Sequence, residues 1–153
     1  MEVSQKRATR QDAAEMAPRM RPEDAAEVLA ADGHTPYEAL EWALFASGPE
    51  AWTFRLNGKI AAMWGAVPVS LLSGMAVPWL LTTDEIDKHP KTFIRCCREA
   101  LIYLSRRYPT LINRVDVRYE KALRWARRMG FEVLSPECQH GYTFCTIIRK
   151  GAY

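Results

Sequence analysis

The last third of the chain distributes apolar and charged residues in a way that predicts strand, helix and strand over residues 115–131. Apolar residues gather on one side of the helix at Ala122, Leu123, Trp125, Ala126 and Met129. Charged residues take the other side, as in an amphipathic surface helix. Gly130 follows at once, and glycine readily adopts the left-handed conformation that ends many helices. We therefore predict a helix that ends at Gly130 and a strand from Phe131 to Leu134.

A second amphipathic helix is predicted between Pro90 and Tyr108. Its apolar face consists of Phe93, Cys97, Ala100, Leu101, Leu104 and Tyr108. Lysine and arginine residues occupy the opposite face, which indicates contact with solvent. Pro109 ends the pattern, because proline disfavours helical conformation in the residue before it. A strand from Leu111 to Val117 then precedes the helix that ends at Gly130.

Three helices are predicted in the first fifty residues, after a strand from Val3 to Thr9. The apolar side of the first helix consists of Ala13, Met16, Ala17 and Met20. The second helix is predicted over 22–32 and the third over 36–46. Thr35 and Glu38 have the spacing of a capping box, and the proline between them fits the first helical position.

A β-hairpin is predicted directly after these helices. Residues 52–56 alternate between apolar and polar, and 59–67 return as the partner strand. Asn57 and Gly58 between them are the residues that a type I′ turn requires, because both central positions need a positive φ. The aromatic side chains Trp52, Phe54 and Trp64 are assigned to packing between the sheet and helices rather than to stacking on a ligand.

Two further strands complete the predicted sheet. One runs from Met75 to Thr82, where Pro78 implies a bulge or an unpaired position. The other runs from His140 to Arg149 and pairs antiparallel with the strand at 131–134. The fold class is therefore α+β, with a mixed, mostly antiparallel sheet of six to seven strands and about five helices in a single domain, 1–153.

Net charge says less about function than the distribution of charge does. The chain of 153 residues carries a net charge of only +3, yet nine of its fifteen arginines lie between positions 95 and 128. Most of these are expected on solvated helix faces. A contact surface for protein or DNA is predicted at Arg106, Arg107, Arg118, Arg124, Arg127 and Arg128.

Several classes of protein are disfavoured by the sequence. The first ten residues lack the apolar core of a signal peptide, and no run approaches the roughly 20 apolar residues of a membrane span, so synthesis and initial location in the cytosol are expected. Cys96, Cys97, Cys138 and Cys145 have no CxxC spacing and the three histidines are scattered. No metal site is therefore predicted, and the thiols are expected to be buried or inert.

The helix that ends in Met129-Gly130-Phe131 and turns at once into a strand resembles the penultimate helix and following strand of the GNAT N-acetyltransferase fold. The resemblance implies that acyl-CoA lies along the strand at 75–82, where two neighbouring strands splay apart. The next loop would then wrap the pyrophosphate with backbone N–H groups. On that basis the cofactor-binding residues, if acyl-CoA binds, are Leu80, Leu81, Thr82, Lys88 and Arg95.

The chain departs from the pattern of active GNAT enzymes at three places. Residues 82–90 contain no glycine and three carboxylates, which would repel a pyrophosphate. Ala126 stands where a tyrosine acid is usual, and Tyr119 stands in place of an asparagine. Tyr119, Tyr108 and Tyr142 remain as unassigned candidates, so no catalytic residue is predicted. No cofactor is expected, or acetyl-CoA if the chain is an enzyme.

Two runs make the resemblance more specific. They are Trp79-Leu80-Leu81-Thr82-Thr83-Asp84 and Arg124-Trp125-Ala126-Arg127-Arg128-Met129-Gly130-Phe131. Over roughly Pro78 to Lys150 the chain looks like GNAT-like proteins of tailed phages, which include an internal virion protein of short-tailed phages. This implies a role in virion assembly, the internal core or genome ejection, with other phage structural proteins and packaged DNA as partners. The host cytoplasm and then the virion would be its location. An acyl-CoA-dependent N-acetyltransferase and a nucleic-acid contact module remain as alternatives.

Overall fold

A computed structural model describes residues 1–70, 72–139 and 141–151 of the chain. The strands are β1 (Val3–Arg7), β2 (Ala51–Leu56), β3 (Lys59–Pro68), β4 (Met75–Thr82), β5 (Thr110–Asp116), β6 (Glu132–Val133), β7 (Glu137–Gln139) and β8 (Tyr142–Lys150). The helices are α1 (Arg10–Met16), α2 (Pro22–Asp32), α3 (Pro36–Ser47), α4 (Glu85–Lys88), α5 (Pro90–Arg107) and α6 (Glu120–Arg128). A short 3₁₀ turn, Ala17–Arg19, follows α1.

The predicted fold class is confirmed. The strands follow the order β1-β2-β3-β4-β5-β8-β6, with β7 also paired to β8, and the ladders are mostly antiparallel. The structure adds α4 and β7 to the predicted elements. Both are short, with four and three residues, and so produce little periodicity in a sequence.

The chain divides into two compact units. The first contains Met1–Val67 and Trp79–Phe93, and the second contains Pro68–Pro78 and Ile94–Tyr153. Strand β4 and helix α5 therefore each contribute to both units. The prediction of a single domain over 1–153 stays a prediction beside this division.

In the first unit, the predicted hairpin forms between β2 and β3. Asn57 and Gly58 have φ values of 50° and 81°, as a type I′ turn requires. The rings of Trp52 and Trp64 stack across the two strands with 6.1 Å between their centroids. The core of this unit contains Ala13, Met16, Met20, Leu40, Ile60 and Met63. These buried side chains join helices α1 and α3 to β3, and Ala13, Met16 and Met20 belong to the predicted apolar side of the first helix.

Capping boxes begin two of the helices in the first unit. The predicted box of Thr35 and Glu38 is present at α3, and Thr9 with Asp12 forms a second box at α1. Each box satisfies backbone N–H groups that the first helical turn leaves without partners. Helix α1 is shorter than predicted, because the chain continues after Met16 as a 3₁₀ turn that contains Pro18.

In the second unit, β5 and β8 form a long antiparallel ladder that runs from Thr110↔Lys150 to Asp116↔Phe144. Helices α5 and α6 bury the leucines that their apolar faces predicted, including Leu101, Leu104 and Leu123. Gly130 has a φ of 90°, so the predicted left-handed end of α6 is confirmed. Of the predicted last strand, Tyr142–Lys150 is observed, and His140 lies outside the described residues.

The four cysteines are free thiols in different surroundings. Cys96, Cys97 and Cys145 are buried, whereas Cys138 on β7 is exposed. Cys138 is exposed because the short edge strand β7 leaves its side chains in solvent, so for this thiol the expectation of a buried or inert group rests on inertness alone. Burial raises the pKa of Cys97 to about 12, so this thiol is protonated at neutral pH.

Candidate functional site

The resemblance predicts a ligand at the end of β4. The backbone groups on the two edges of this strand have different hydrogen-bond partners. Thr83, directly after β4, donates its backbone N–H to the carbonyl of Ala61 in β3 over 3.0 Å. Its hydroxyl donates to the carbonyl of Ile60 over 2.8 Å. Because successive peptide groups of a strand point to opposite edges, the N–H and C=O of Thr82 face away from β3.

The edge at Thr82 is occupied by residues at the start of α2. Asp24 accepts a hydrogen bond from the Thr82 N–H over 2.8 Å and another from the Thr82 hydroxyl over 2.7 Å. The backbone N–H of Arg21 donates to the Thr82 carbonyl over 2.9 Å. Thr82 is consequently buried. Both backbone groups of Thr82 therefore already have protein partners.

Asp24 is a half-buried carboxylate whose pKa is shifted from its ordinary value. Burial raises the pKa of Asp24 above its ordinary value. The hydrogen bonds from Thr82 and the charge of Arg21 lower the same pKa, whereas the nearby charge of Glu23 raises it. The Arg21 guanidinium also lies 3.2 Å from a carboxylate oxygen of Asp87. Charged side chains therefore connect the start of α2 to both β4 and α4.

The segment after β4 uses its own backbone donors. Internal acceptors take the N–H groups of Glu85, Ile86, Asp87 and His89, at N···O distances of 3.1 to 3.4 Å. Predicted site residue Lys88 forms an ion pair with Glu85 over 2.9 Å. The predicted loop is thus a single turn of helix, α4, in which these four donors and the Lys88 cation already have partners.

These contacts do not fit acetyl-CoA bound in the way that the resemblance implies. Such binding requires free N–H and C=O groups on the strand edge and a cradle of free backbone N–H groups for the pyrophosphate. At Thr82 the edge groups are bound by α2, and in α4 the backbone donors are bound within the turn. Asp84, Glu85 and Asp87 add negative charge at the same place.

The indole ring of Trp79, on β4, packs closely against Gly65 of β3. Its indole N–H donates to the Ser47 hydroxyl over 2.7 Å. A Cβ added at Gly65 would lie 2.3 Å from the Glu50 carbonyl oxygen and 2.9 Å from the Trp79 indole nitrogen. A glycine at position 65 therefore lets β3 and the indole lie in contact.

The predicted cofactor-binding residues fall in both units. Leu80, Leu81, Thr82 and Lys88 belong to the first unit, where the two leucines are half-buried. Arg95 belongs to the second unit and is exposed on α5. Sequence reasoning missed Asp24, because an acidic residue in the first turn of a helix is adequately explained by the helix dipole.

The second unit contains a concentration of arginines where two helices end. Arg149 donates from Nε to the carbonyl of Met129 over 3.1 Å, and from Nη1 to the Ser105 hydroxyl. One side chain thus contacts the ends of both α5 and α6. We call the four exposed guanidinium groups beside it the arginine end; they belong to Arg106, Arg107, Arg127 and Arg128.

The other two predicted contact arginines have different surroundings. Arg118 forms hydrogen bonds of 2.7 to 3.1 Å with the carboxylate of Asp116, which lowers the pKa of that carboxyl. Arg124 is exposed in the middle of α6. Arg118 of the predicted surface is therefore already paired with Asp116, and the guanidinium carbon of Arg107, in the arginine end, lies 5.7 Å from the centroid of the Tyr103 ring.

Two positions that bear on catalysis also have structural roles. Ala126 is buried at 1 % exposure, and Tyr119 is the half-buried residue that precedes α6. Within the described parts of the chain, no three His, Cys, Asp or Glu residues form a group that could hold a metal ion. No helix in the same residues is long and apolar enough to cross a membrane.

Known proteins resemble this chain in structure and not detectably in sequence. No protein-family model and no curated protein matches the chain. The ribosomal-protein-S18-alanine N-acetyltransferase from Escherichia coli superposes with a TM-score of 0.68 at 17 % identity, over 97 % of this chain and 94 % of that chain. An acetyltransferase of the GNAT family from Streptococcus pneumoniae superposes with a TM-score of 0.65 at 14 % identity, over 97 % and 99 %.

A third similar structure contains a ligand. It is a Salmonella typhimurium protein described as an acetyltransferase with its cofactor acetyl-CoA, and it superposes with a TM-score of 0.65 at 12 % identity. The match covers 97 % of this chain and 93 % of that chain. Likeness at such low identity establishes architecture rather than activity. The chain has the fold of the GNAT N-acetyltransferases.

Proposed function

We propose that this chain is a GNAT-fold protein of a phage particle that acts through protein contacts, in assembly, the internal core or genome ejection, rather than through acetyl transfer. One observation carries the proposal. The N–H and C=O of Thr82 are bound by Asp24 and Arg21, on the strand edge where the resemblance places acyl-CoA. A ligand there would have to displace a half-buried carboxylate.

Two further features support the proposal. The backbone N–H groups of α4 are bound within the turn, and its carboxylates oppose a pyrophosphate. A buried alanine occupies position 126, where an active relative would carry a tyrosine acid. The run from Trp79 to Asp84, which resembles phage GNAT-like proteins, contains Thr82, the residue that Asp24 and Arg21 bind. The phage role rests on that resemblance.

Acetyl-CoA binding is the first test. We expect no heat in a calorimetric titration and no change in melting temperature at saturating ligand. Binding with a Kd of about 10 μM would stabilise the protein by about 2.7 kcal/mol at about 1 mM ligand, which a thermal melt detects readily. Such stabilisation would contradict the proposal and favour an N-acetyltransferase that acts on an amine.

If the protein does bind acetyl-CoA, an Asp24→Ala variant tests whether the ligand binds at the Thr82 edge of β4. If the wild-type protein binds and the variant binds more tightly, the ligand competes with Asp24 for Thr82. If the two bind equally, the ligand lies elsewhere and the edge at Thr82 stays closed. The matched control is Asp32→Ala, since Asp32 is an exposed acid at the other end of α2.

The proposed location has a separate test. Phage particles are purified from cells in which the gene is expressed during infection, and quantitative mass spectrometry measures the number of copies per particle. We expect a constant copy number after treatment of intact particles with protease. Recovery of the chain only from the cell lysate would contradict a virion role.

Contact with packaged DNA is a second candidate function, favoured by the arginine end. Arg149 brings together the ends of two helices, each with two exposed arginines, and both helix dipoles leave negative potential there that these cations offset. Binding to duplex DNA should weaken with salt, and Arg127→Ala with Arg128→Ala should reduce the slope by about 0.9 per lost phosphate contact. Arg118→Ala is the control, because Arg118 already pairs with Asp116.

A further inference from the structure

Helix α3 exposes aromatic side chains to solvent. Its buried side contains Ala39, Leu40, Ala43 and Ser47. On the opposite side, Phe45 is 88 % exposed and Trp42 is 55 % exposed. Contiguous exposed side chains of this size are uncommon on a protein that contacts nothing else, and they mark interaction surfaces.

Two glutamates share the outer side of α3 with these aromatic rings. They are Glu38 and Glu41, and Glu41 also forms an ion pair with Arg10. The outer side of α3 is therefore an apolar centre flanked by acidic residues. We call Glu38, Glu41, Trp42 and Phe45 the α3 face.

Helix α5 exposes the complementary pattern. Ile102 is 49 % exposed, and exposed Arg98 and Arg106 lie one turn before and one turn after it on the same side of the helix. Arg95 extends this side by a further turn, and Glu99 is the acid beside it. No ion pair joins these three arginines to another described residue. We call Arg95, Arg98, Ile102 and Arg106 the α5 face.

We propose that the α3 face of one copy of this chain binds the α5 face of a second copy. Ile102 would pack against Trp42 and Phe45, while arginines on either side meet the glutamates and the faces of the aromatic rings. A second copy is favoured over other partners because the same chain carries both patterns, each with an apolar centre and flanking charge of opposite sign.

The proposed contact joins two different surfaces. Two copies close as a two-fold dimer where both contacts form at once, and association continues into a ring or an open filament where each pair forms only one. The opposite charges also make the association sensitive to salt, because the exposed charges lie in water.

Sedimentation velocity of the full chain tests the proposal. Between about 10 μM and 1 mM protein, we expect the average mass to rise beyond that of a monomer, and to fall between about 0.05 and 0.5 M salt. Trp42→Ser with Phe45→Ser removes the α3 face, and Arg98→Glu with Ile102→Ser removes the α5 face. Each double variant should weaken association at least about 30-fold.

Matched controls change similar groups elsewhere. Leu72→Ser removes a leucine that is 99 % exposed outside both faces, and Arg124→Glu reverses an exposed arginine on α6. Both should associate like the wild-type protein. Circular dichroism verifies folding, which the substitutions should preserve because every changed side chain is exposed.

A mixture of the two double variants gives the sharpest result. One retains only an intact α5 face and the other only an intact α3 face, so the mixture should form a one-to-one dimer and nothing larger. A wild-type protein that remains a monomer overturns the proposal. So does a mixture that remains monomeric while the wild-type protein associates, or a double variant that still associates, because either result places the contact on another surface.

Discussion

Asp24 in the first unit and Arg149 in the second are both half-buried charged side chains that connect helices to a strand. Asp24 accepts two hydrogen bonds from Thr82 at the end of β4. Arg149, on β8, donates to Met129 and Ser105 at the ends of two helices. A carboxylate can gain a proton in the accessible pH range, whereas a guanidinium stays charged. The first connection therefore depends on pH, and the second does not.

The comparison also separates two kinds of effect. Asp24 accepts hydrogen bonds from both donors of Thr82, so its effect is to satisfy the end of β4 within the protein. Arg149 contacts the ends of two helices that each carry two arginines in their last turn, so its effect is to build a charged surface.

Glycine substitutions should produce the largest difference between the units. Gly65→Ala places a Cβ 2.3 Å from the Glu50 carbonyl, so backbone must move, and we expect a loss of about 3 kcal/mol or more in the free energy of unfolding. Gly130→Ala meets only the flexible side chain of Arg149 at 3.3 Å, and its φ of 90° should cost about 1 to 2 kcal/mol. Urea unfolding measures both, and equal losses would refute this account of Gly65.

Arg149→Ala should have the next largest effect. It removes hydrogen bonds from a charged donor to Met129 and to the buried Ser105 hydroxyl, at a cost of about 2 to 3 kcal/mol in unfolding free energy. Arg149→Lys should recover only part of the lost stability. A lysine ammonium lacks the planar fork with which the arginine guanidinium reaches both acceptors. Full recovery in the lysine variant would mean that charge alone matters there.

Asp24→Ala should destabilise the first unit by about 1 to 3 kcal/mol. The Thr82 N–H and hydroxyl would lose their acceptor in a buried position. Asp24→Asn retains an oxygen acceptor, so its loss at neutral pH should be much smaller. Urea unfolding of the two variants measures the difference, and a similar loss in both would show that the negative charge, not the acceptor, holds Thr82.

The pH dependence of Asp24→Asn should be the smallest effect. Because burial raises the pKa of Asp24 in the folded protein, the folded state binds the proton more tightly than the unfolded state. The wild-type protein should therefore lose stability relative to the asparagine variant as pH rises from below the ordinary carboxyl pKa through the raised one. Unfolding free energies of both proteins across about pH 3 to 7 measure this slope. A slope of opposite sign would mean that Arg21 and the Thr82 bonds outweigh burial.

The sequence determined most of the fold, because local chemistry specified the elements. The capping box at Thr35, the Asn57-Gly58 turn and the left-handed Gly130 each act through neighbouring residues. The apolar faces of α5 and α6 identified their buried sides for the same reason. Helix α4 and strand β7 were missed, since elements of four and three residues carry no readable period.

Only the tertiary structure decided what happens at the candidate site. The resemblance implied a ligand edge at Leu80, Leu81 and Thr82, but Asp24 lies 58 residues from Thr82 along the chain. No spacing rule connects such distant positions; packing of the helices onto the sheet brings them together. The sequence likewise supplied the arginines of α5 and α6, whereas Arg149 and the sheet register placed their helix ends side by side.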